Sequence, residues 1–193
     1  MRSIHRSVLG VVTVALASFA FMGCTTTRPG DTSSAVSSRA SMDAQVEAAL
    51  SKLYASVPGS REMVAKANGV LVFPAVVGAS LGVGAEYGRG ALKVAGRTEA
   101  YYSTTTGSLG FQAGAQSKAV IYVFNTKEAL DTFRNSSGWT AGADATVAVA
   151  TLGATGNVDT NTIRQPVVGF VLTNVGLEAG VSLQGAKISR VQL

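Results

Sequence analysis

The sequence predicts an α+β domain with a strongly curved, barrel-like antiparallel sheet and a few short helices. Three observations point there. Strand-like apolar segments recur along the second two thirds of the chain, several of them strictly alternating. Glycine is abundant, at 22 of 193 residues, while charged residues make up only 14 %. That balance describes a compact β-rich chain rather than a disordered one. Third, the stretch Asn68–Gly96 places Gly78, Gly82, Gly84, Gly88, Gly90 and Gly96 all on even positions. In an extended chain, one face from Gly78 to Gly90 then carries only Ser80 and Glu86. A bare face lets backbones approach closely or lets a sheet bend hard.

Taken in order, Met1–Gly23 reads as a leader. Arg2 and Arg6 supply a positive start, and Val8–Phe21 is an uncharged apolar run. A bilayer span needs about 20 residues, so this run has the length of a signal-peptide core instead. It ends in Phe21-Met22-Gly23-Cys24, a small residue and then cysteine, similar to a bacterial lipobox. Cys24 is therefore the expected acylation site and the mature N-terminus. Thr25 follows where aspartate would resemble an inner-membrane retention signal, so the expected location is the cell envelope, at the outer membrane. Residues 24–40 are Ser/Thr-rich and too polar to pack. They are expected to form a flexible tether with a reach of roughly 25 Å.

The domain is expected over residues 41–193. Ser41 is placed to cap a helix from Met42 to Ala55, with Met42, Val46, Ala49, Leu50 and Leu53 on one apolar face. Its polar face holds one lysine, Lys52, against Asp43 and Glu47, which favours core packing over lying on a membrane. Pro58-Gly59 breaks it, and a short helix over Ser60–Ala67 leads to the strand Val70–Phe73, expected to end at Pro74. Beyond the glycine stretch come a strand over Thr98–Tyr102, a turn over Ser103–Gly107 and an alternating strand over Ser108–Gln116. Ala119–Phe124 and Val167–Leu172 are nearly continuous apolar runs, as in strands buried on both faces. Asn125 with Glu128 three residues on marks a helix start. Alternation continues over Thr140–Leu152 and Val175–Leu183, with a loop over Gly153–Arg164 between, and Ala186–Val191 is a last strand.

Chemistry is constrained by absence. The only histidine, His5, lies in the leader, and the only cysteine is Cys24. The mature chain then lacks the parts of a Ser-His-Asp triad, a Cys-His dyad or a His/Cys zinc site. Carboxylates remain, Asp144 and Glu178 among them, but none stands in a motif that suggests a catalytic pair. No catalytic residue, metal ligand or cofactor is expected. The segment Gly82–Gly88 is no dinucleotide loop, because its glycines keep a period of two instead of opening a helix. Formal net charge is +5, and +3 without the leader arginines, far from the basic stripe of a nucleic-acid binder. Arg89, Lys93 and Arg97 recur every four residues at odd positions, which puts them on one face of an extended chain. With Lys187 and Arg190 in the last strand they form the candidate surface for anionic lipid headgroups, since each cation near a membrane contributes about 1 kcal/mol. A solvated sheet face or a charge-protected edge is the plainer alternative.

Several spaced blocks resemble the SYLF domain family. Ala67-x-Gly69-Val70-Leu71-Val72-Phe73-Pro74 is similar to its opening motif. Gly82–Gly90 with Leu92, and Gly110-x-Gln112-x-Gly114-x-Gln116, resemble its centre. Ala129-Leu130-x-x-Phe133, Gly142-Ala143-Asp144-Ala145 and Gly176-Leu177-x-Ala179-Gly180-Val181-Ser182-Leu183-x-Gly185 resemble the later blocks. The likeness runs over about Ala44–Arg190 and is greatest to the bacterial exported branch, with Tyr101-Tyr102-Ser103 in place of the eukaryotic tryptophan motif. It implies binding to phosphoinositides or other anionic lipids. It implies less about actin, because the SH3 domain common in eukaryotic members is missing here. Two functions emerge as expectations: a lipid-anchored envelope protein whose domain binds anionic lipid headgroups or acyl chains, or a structural or adhesive envelope protein with a protein partner. A carboxylate-dependent hydrolase is the remaining class.

Overall fold

The continuous apolar runs Ala119–Phe124 and Val167–Leu172 call for cover on both faces of a sheet, and a core lies on each side. The computed structural model describes residues 32–110, 116–153, 156 and 158–193. The expected leader, Cys24 and the first part of the tether lie outside these residues, as does the middle of the Ser108–Gln116 strand. In chain order the elements are α1 (Thr32–Ser56), α2 (Ser60–Lys66), β1 (Gly69–Val94), β2 (Arg97–Gly110), β3 (Gln116–Phe124) and α3 (Lys127–Asn135). They continue with β4 (Trp139–Thr140), β5 (Val147–Val149), α4 (Thr160–Ile163), β6 (Val167–Thr173), β7 (Gly176–Leu177) and β8 (Lys187–Val191). The strands form one eight-stranded sheet in the order β4-β8-β2-β1-β3-β6-β5, with β7 beside β6. It is curled into a half-barrel, as the sequence predicts. Pairing is antiparallel except for β5 against β6.

One core lies on the α3 side and gathers Leu71, Phe73, Leu92, Tyr102, Tyr122 and Trp139 with Leu130 and Phe133 of α3. The other lies under α1 and gathers Val72, Ala91, Ile121, Val123 and Phe170 with Val46, Leu50 and Leu53. The strands β3 and β6 serve both cores, and their side chains from Ala119 to Phe124 and from Val167 to Leu172 are buried apart from Gly169 having none. Both cores draw on residues after Thr32, and residues 32–193 form a compact unit that carries its own interior.

The organising element is β1. Its first part, Gly69–Gly78, pairs with β3, and its second, Gly82–Val94, pairs with β2. The two parts also approach each other in antiparallel order. A Cβ added at Gly90 would overlap the Val72 carbonyl oxygen, and one at Gly88 would lie 2.9 Å from the Ala75 carbonyl oxygen. The bare even face is thus where β1 closes on its own backbone. Gly78 leaves room for the one charged group on that face: its Cβ would stand 3.0 Å from Glu86 Cγ. Glu86 is not idle there, because its Oε1 accepts a hydrogen bond from Lys118 Nζ at 2.9 Å.

Several boundaries differ from expectation for physical reasons. The helix α1 begins at Thr32, not at Ser41, so residues 32–40 are helical where the composition predicts a tether. Packing of Val46, Leu50 and Leu53 nucleates the helix, after which each added turn is cheap. Arg39 Nε then donates to the Leu193 carbonyl at 2.9 Å, tying the extension to the chain end. Pro74 does not end its strand. The register shifts between Phe73 and Val76, so the proline occupies a bulge where its missing N–H leaves no ladder bond unmade. Ser103–Gly107 is strand rather than turn, and the reversal comes earlier, at Ala95-Gly96, with φ of 48° and 76° as in the turns that suit tight hairpins. The cap of α3 is Thr126, whose Oγ1 accepts from Ala129 N at 3.2 Å. Asn125 instead donates to the carbonyls of Ile163 and Gln165.

Two alternating segments are not continuous strands. Thr140–Leu152 is divided between β4 and β5, and Gly153–Arg164 includes the one-turn helix α4, capped by Asp159. Of Val175–Leu183 only Gly176–Leu177 pairs. Gly180 adopts φ +80°, a left-handed conformation that ends extended chain. Beyond Gly180 the chain folds back so that Leu183 lies over Gly169, where a Cβ would collide with it.

Candidate functional site

Register places β1, β2 and β8 side by side and defines two transverse rows on the α1 side of the sheet. Arg89 stands opposite Ser103, which stands opposite Ser189. Tyr87 stands opposite Thr105, which stands opposite Lys187, with Thr140 of β4 beyond it. Directly opposed residues share a face, and Ala91 and Tyr101 one step along belong to the α1 side. The helix α1 lies on this side of the sheet. Nearer the hairpin its Asp43 accepts from Thr98 Oγ1 at 3.0 Å and from Tyr101 Oη at 3.2 Å. Burial first, then the Asp43 carboxylate, pushes the Tyr101 phenol above its usual range, so it remains a donor.

The rows are solvent-facing. Tyr87 is 49 % exposed, and Arg89, Thr105 and Lys187 are exposed as well. Tyr87 Oη accepts from Arg89 Nε at 3.0 Å and so orients the guanidinium, which carries further N–H donors. Arg89 and Lys187 sit two strands and two residues apart, about 12 Å from strand spacing and rise. Hydroxyls of Ser103, Thr105 and Ser189 lie between. Among the described residues no carboxylate forms an ion pair with either cation. Such a surface can accept anionic oxygen at two points and hydrogen-bond it between them.

The five predicted cations do not form one site. Arg89 and Lys187 share the rows just described. Lys93 is on the same side but mostly buried under α1, ion-paired with Glu47. Arg97 does not share a face with Arg89 and Lys93, because the hairpin reversal puts it in the next strand opposite Val94. Val94 packs toward the α3 core. Arg190 stands opposite Tyr102, again on the α3 side, where burial raises the Tyr102 phenol and the Arg190 charge opposes that shift. Ser103 and Thr105 escape sequence reasoning because Ser103–Gly107 reads as a turn. A signal is present all the same: Thr104, Thr105 and Thr106 are β-branched and favour strand. Asp144 is engaged structurally, its Oδ2 accepting from Thr140 N at 2.5 Å, and Glu178 stands apart from it after β7. Among the described residues no group of three potential metal ligands occurs, and no helix is long and apolar enough to cross a membrane.

Fold and surface together define a half-barrel α+β domain with an open, basic, hydroxyl-lined sheet face. Residues 105–192 match the model of the family described as Ysc84, the Las17-binding protein actin regulator, which is the SYLF family of the sequence resemblance. The match includes the blocks at Gly142–Ala145 and Gly176–Gly185, together with β3, β6 and β8. The block at Ala67–Pro74 and the row residues Tyr87, Arg89 and Ser103 precede it. No curated protein matches the chain.

Proposed function

We propose that this chain is a non-enzymatic binding protein of the bacterial cell envelope, anchored at the outer membrane by an acylated Cys24. Its SYLF-type domain takes up anionic lipid headgroups on the β1–β2–β8 face. The observation that carries this reading is the pair Arg89 and Lys187, exposed over a hydroxyl-lined surface and without a carboxylate partner among the described residues. Anionic oxygens suit such a surface, and the affinity is electrostatic, so salt should weaken it. In this reading residues 1–23 are removed as a signal peptide and residues 24–31 hold the domain at the membrane.

Flotation of the 32–193 fragment with vesicles tests this without the acyl chain. Recovery with anionic vesicles should exceed that with neutral ones several-fold at low salt and fall as salt is raised. Equal recovery with both would remove the headgroup reading. A second reading, an envelope protein that recognises a protein partner, is favoured by the description of the matched family as Las17-binding. It gains if the fragment ignores all vesicles and instead forms a stoichiometric complex with one envelope protein.

A further inference from the structure

A second, separate site stands between α1, α2 and the β1–β2 reversal. The cleft there measures about 250 Å³ and is lined by Glu47, Leu50, Tyr54, Val64, Val70 and Lys93, among others. Its floor is apolar, from Leu50, Val64 and Val70. Its one buried charge is Lys93, whose side chain is only 16 % exposed. At the tyrosine end, the Arg61 guanidinium stacks 4.4 Å from the Tyr54 ring centre and holds that ring in place.

The pairing of Lys93 is lopsided. An ammonium taken out of water needs a compensating anion, and the one present is Glu47, 60 % exposed on the surface of α1. Turning Glu47 outward costs that carboxylate little, because water replaces its partner. Lys93 has no such escape and must receive another anion. A ligand that brings its own carboxylate to Lys93 keeps the ammonium paired and also covers the apolar floor, which Glu47 does not. The size of the cleft bounds the ligand. It has room for about eight water-sized groups and is smaller than the roughly 300–1,000 Å³ of drug-sized sites.

We propose that this cleft binds small amphipathic monoanions, an acidic head on Lys93 and an alkyl body of about eight carbons over Leu50, Val64 and Val70, with Glu47 as the displaceable internal competitor. The site does not depend on the exposed sheet face, since Arg89 and Lys187 lie outside the cleft.

Titration of the 32–193 fragment with octanoate below its micellar range tests the proposal, read by calorimetry and by shifts of backbone amides in α1 and α2. Octanoate should bind at least tenfold tighter than octanamide, and about tenfold tighter than hexanoate for the two added methylenes. Lys93→Gln should weaken octanoate at least tenfold. Glu47→Gln, a surface change that leaves the cores intact, should tighten it about threefold or more. Arg89→Glu with Lys187→Glu should leave it unchanged. Equal binding of octanamide, or octanoate affinity indifferent to both Lys93→Gln and Glu47→Gln, would overturn the proposal. Loss of octanoate binding in the Arg89/Lys187 variant would also overturn it and transfer the anion to the sheet face.

Discussion

Gly90→Ala is expected to cost more than about 3 kcal/mol of folding free energy, an exceptional effect for the addition of one methyl group. The new Cβ would overlap the Val72 carbonyl oxygen and lie 2.8 Å from Phe73 Cδ1. Backbone cannot swing aside as a flexible side chain can, and Val72 is tied into the β1–β3 ladder opposite Ile121. Overpacking of a core typically costs about 1–3 kcal/mol, and a collision with paired backbone belongs beyond that range. Gly107→Ala is the matched control. It is also a strand glycine, with nothing within 4 Å of the added Cβ, and should change stability by less than about 1 kcal/mol in either direction. Urea denaturation of both variants, followed by circular dichroism, checks the contrast. Equal losses at the two positions would mean that β1 does not close on itself at Gly90.

The second large effect is expected at Trp139, the only tryptophan. It is 1 % exposed and holds Phe133, Tyr122 and Phe124 at ring-centre distances of 5.6, 5.9 and 6.3 Å, each closer to edge-on than stacked. Through Phe133 it joins α3 to the sheet. Trp139→Ala should cost about 3–5 kcal/mol from lost burial and the cavity left behind. Trp139→Phe should cost far less than its lost volume suggests. The indole Nε1 is buried with no hydrogen-bond partner among the described residues, and removing an orphaned donor recovers about 1–3 kcal/mol of desolvation. Denaturant midpoints for the two variants give the answer, and a Phe variant as damaged as the Ala variant would contradict it.

These two residues show where the sequence is legible and where it is not. Gly90 is readable in advance as part of a bare face built for close approach, because a period of two is local and needs no partner to be recognised. Which backbone comes close is not, since that depends on β1 turning back on itself. Ala119–Phe124 and Val167–Leu172 announce doubly buried strands by continuous apolar character. Val175–Leu183 alternates just as cleanly yet is mostly unpaired, because alternation records which side chains are apolar and not whether a neighbouring edge is free. There Gly180 turns left-handed and Leu183 fills the gap over Gly169.

The candidate site is legible in part for the same reason. Arg89 and Lys187 stand out as charges on strands, but their meeting on one face is a fact of register across β1, β2 and β8. Arg97 falls elsewhere than its spacing predicts, because a spacing of four assumes an unbroken strand and Ala95-Gly96 breaks it. Lys93 keeps its expected side, yet Glu47, 46 residues earlier, takes its charge. Arg190 is separated from Lys187 by the simple alternation of a strand, since an odd offset changes face.

That separation supplies the most direct test of the functional account. The Arg89→Glu, Lys187→Glu double variant and the Arg190→Glu single variant of the 32–193 fragment should be compared in flotation with anionic vesicles at low salt. At about 1 kcal/mol for each cation near a charged membrane, losing the two row cations should weaken partitioning by at least roughly 30-fold. Arg190→Glu, facing the other side of the sheet, should weaken it less than about threefold. If the single variant falls as far as the double, or the double floats like the unaltered fragment, the β1–β2–β8 face is not the headgroup surface.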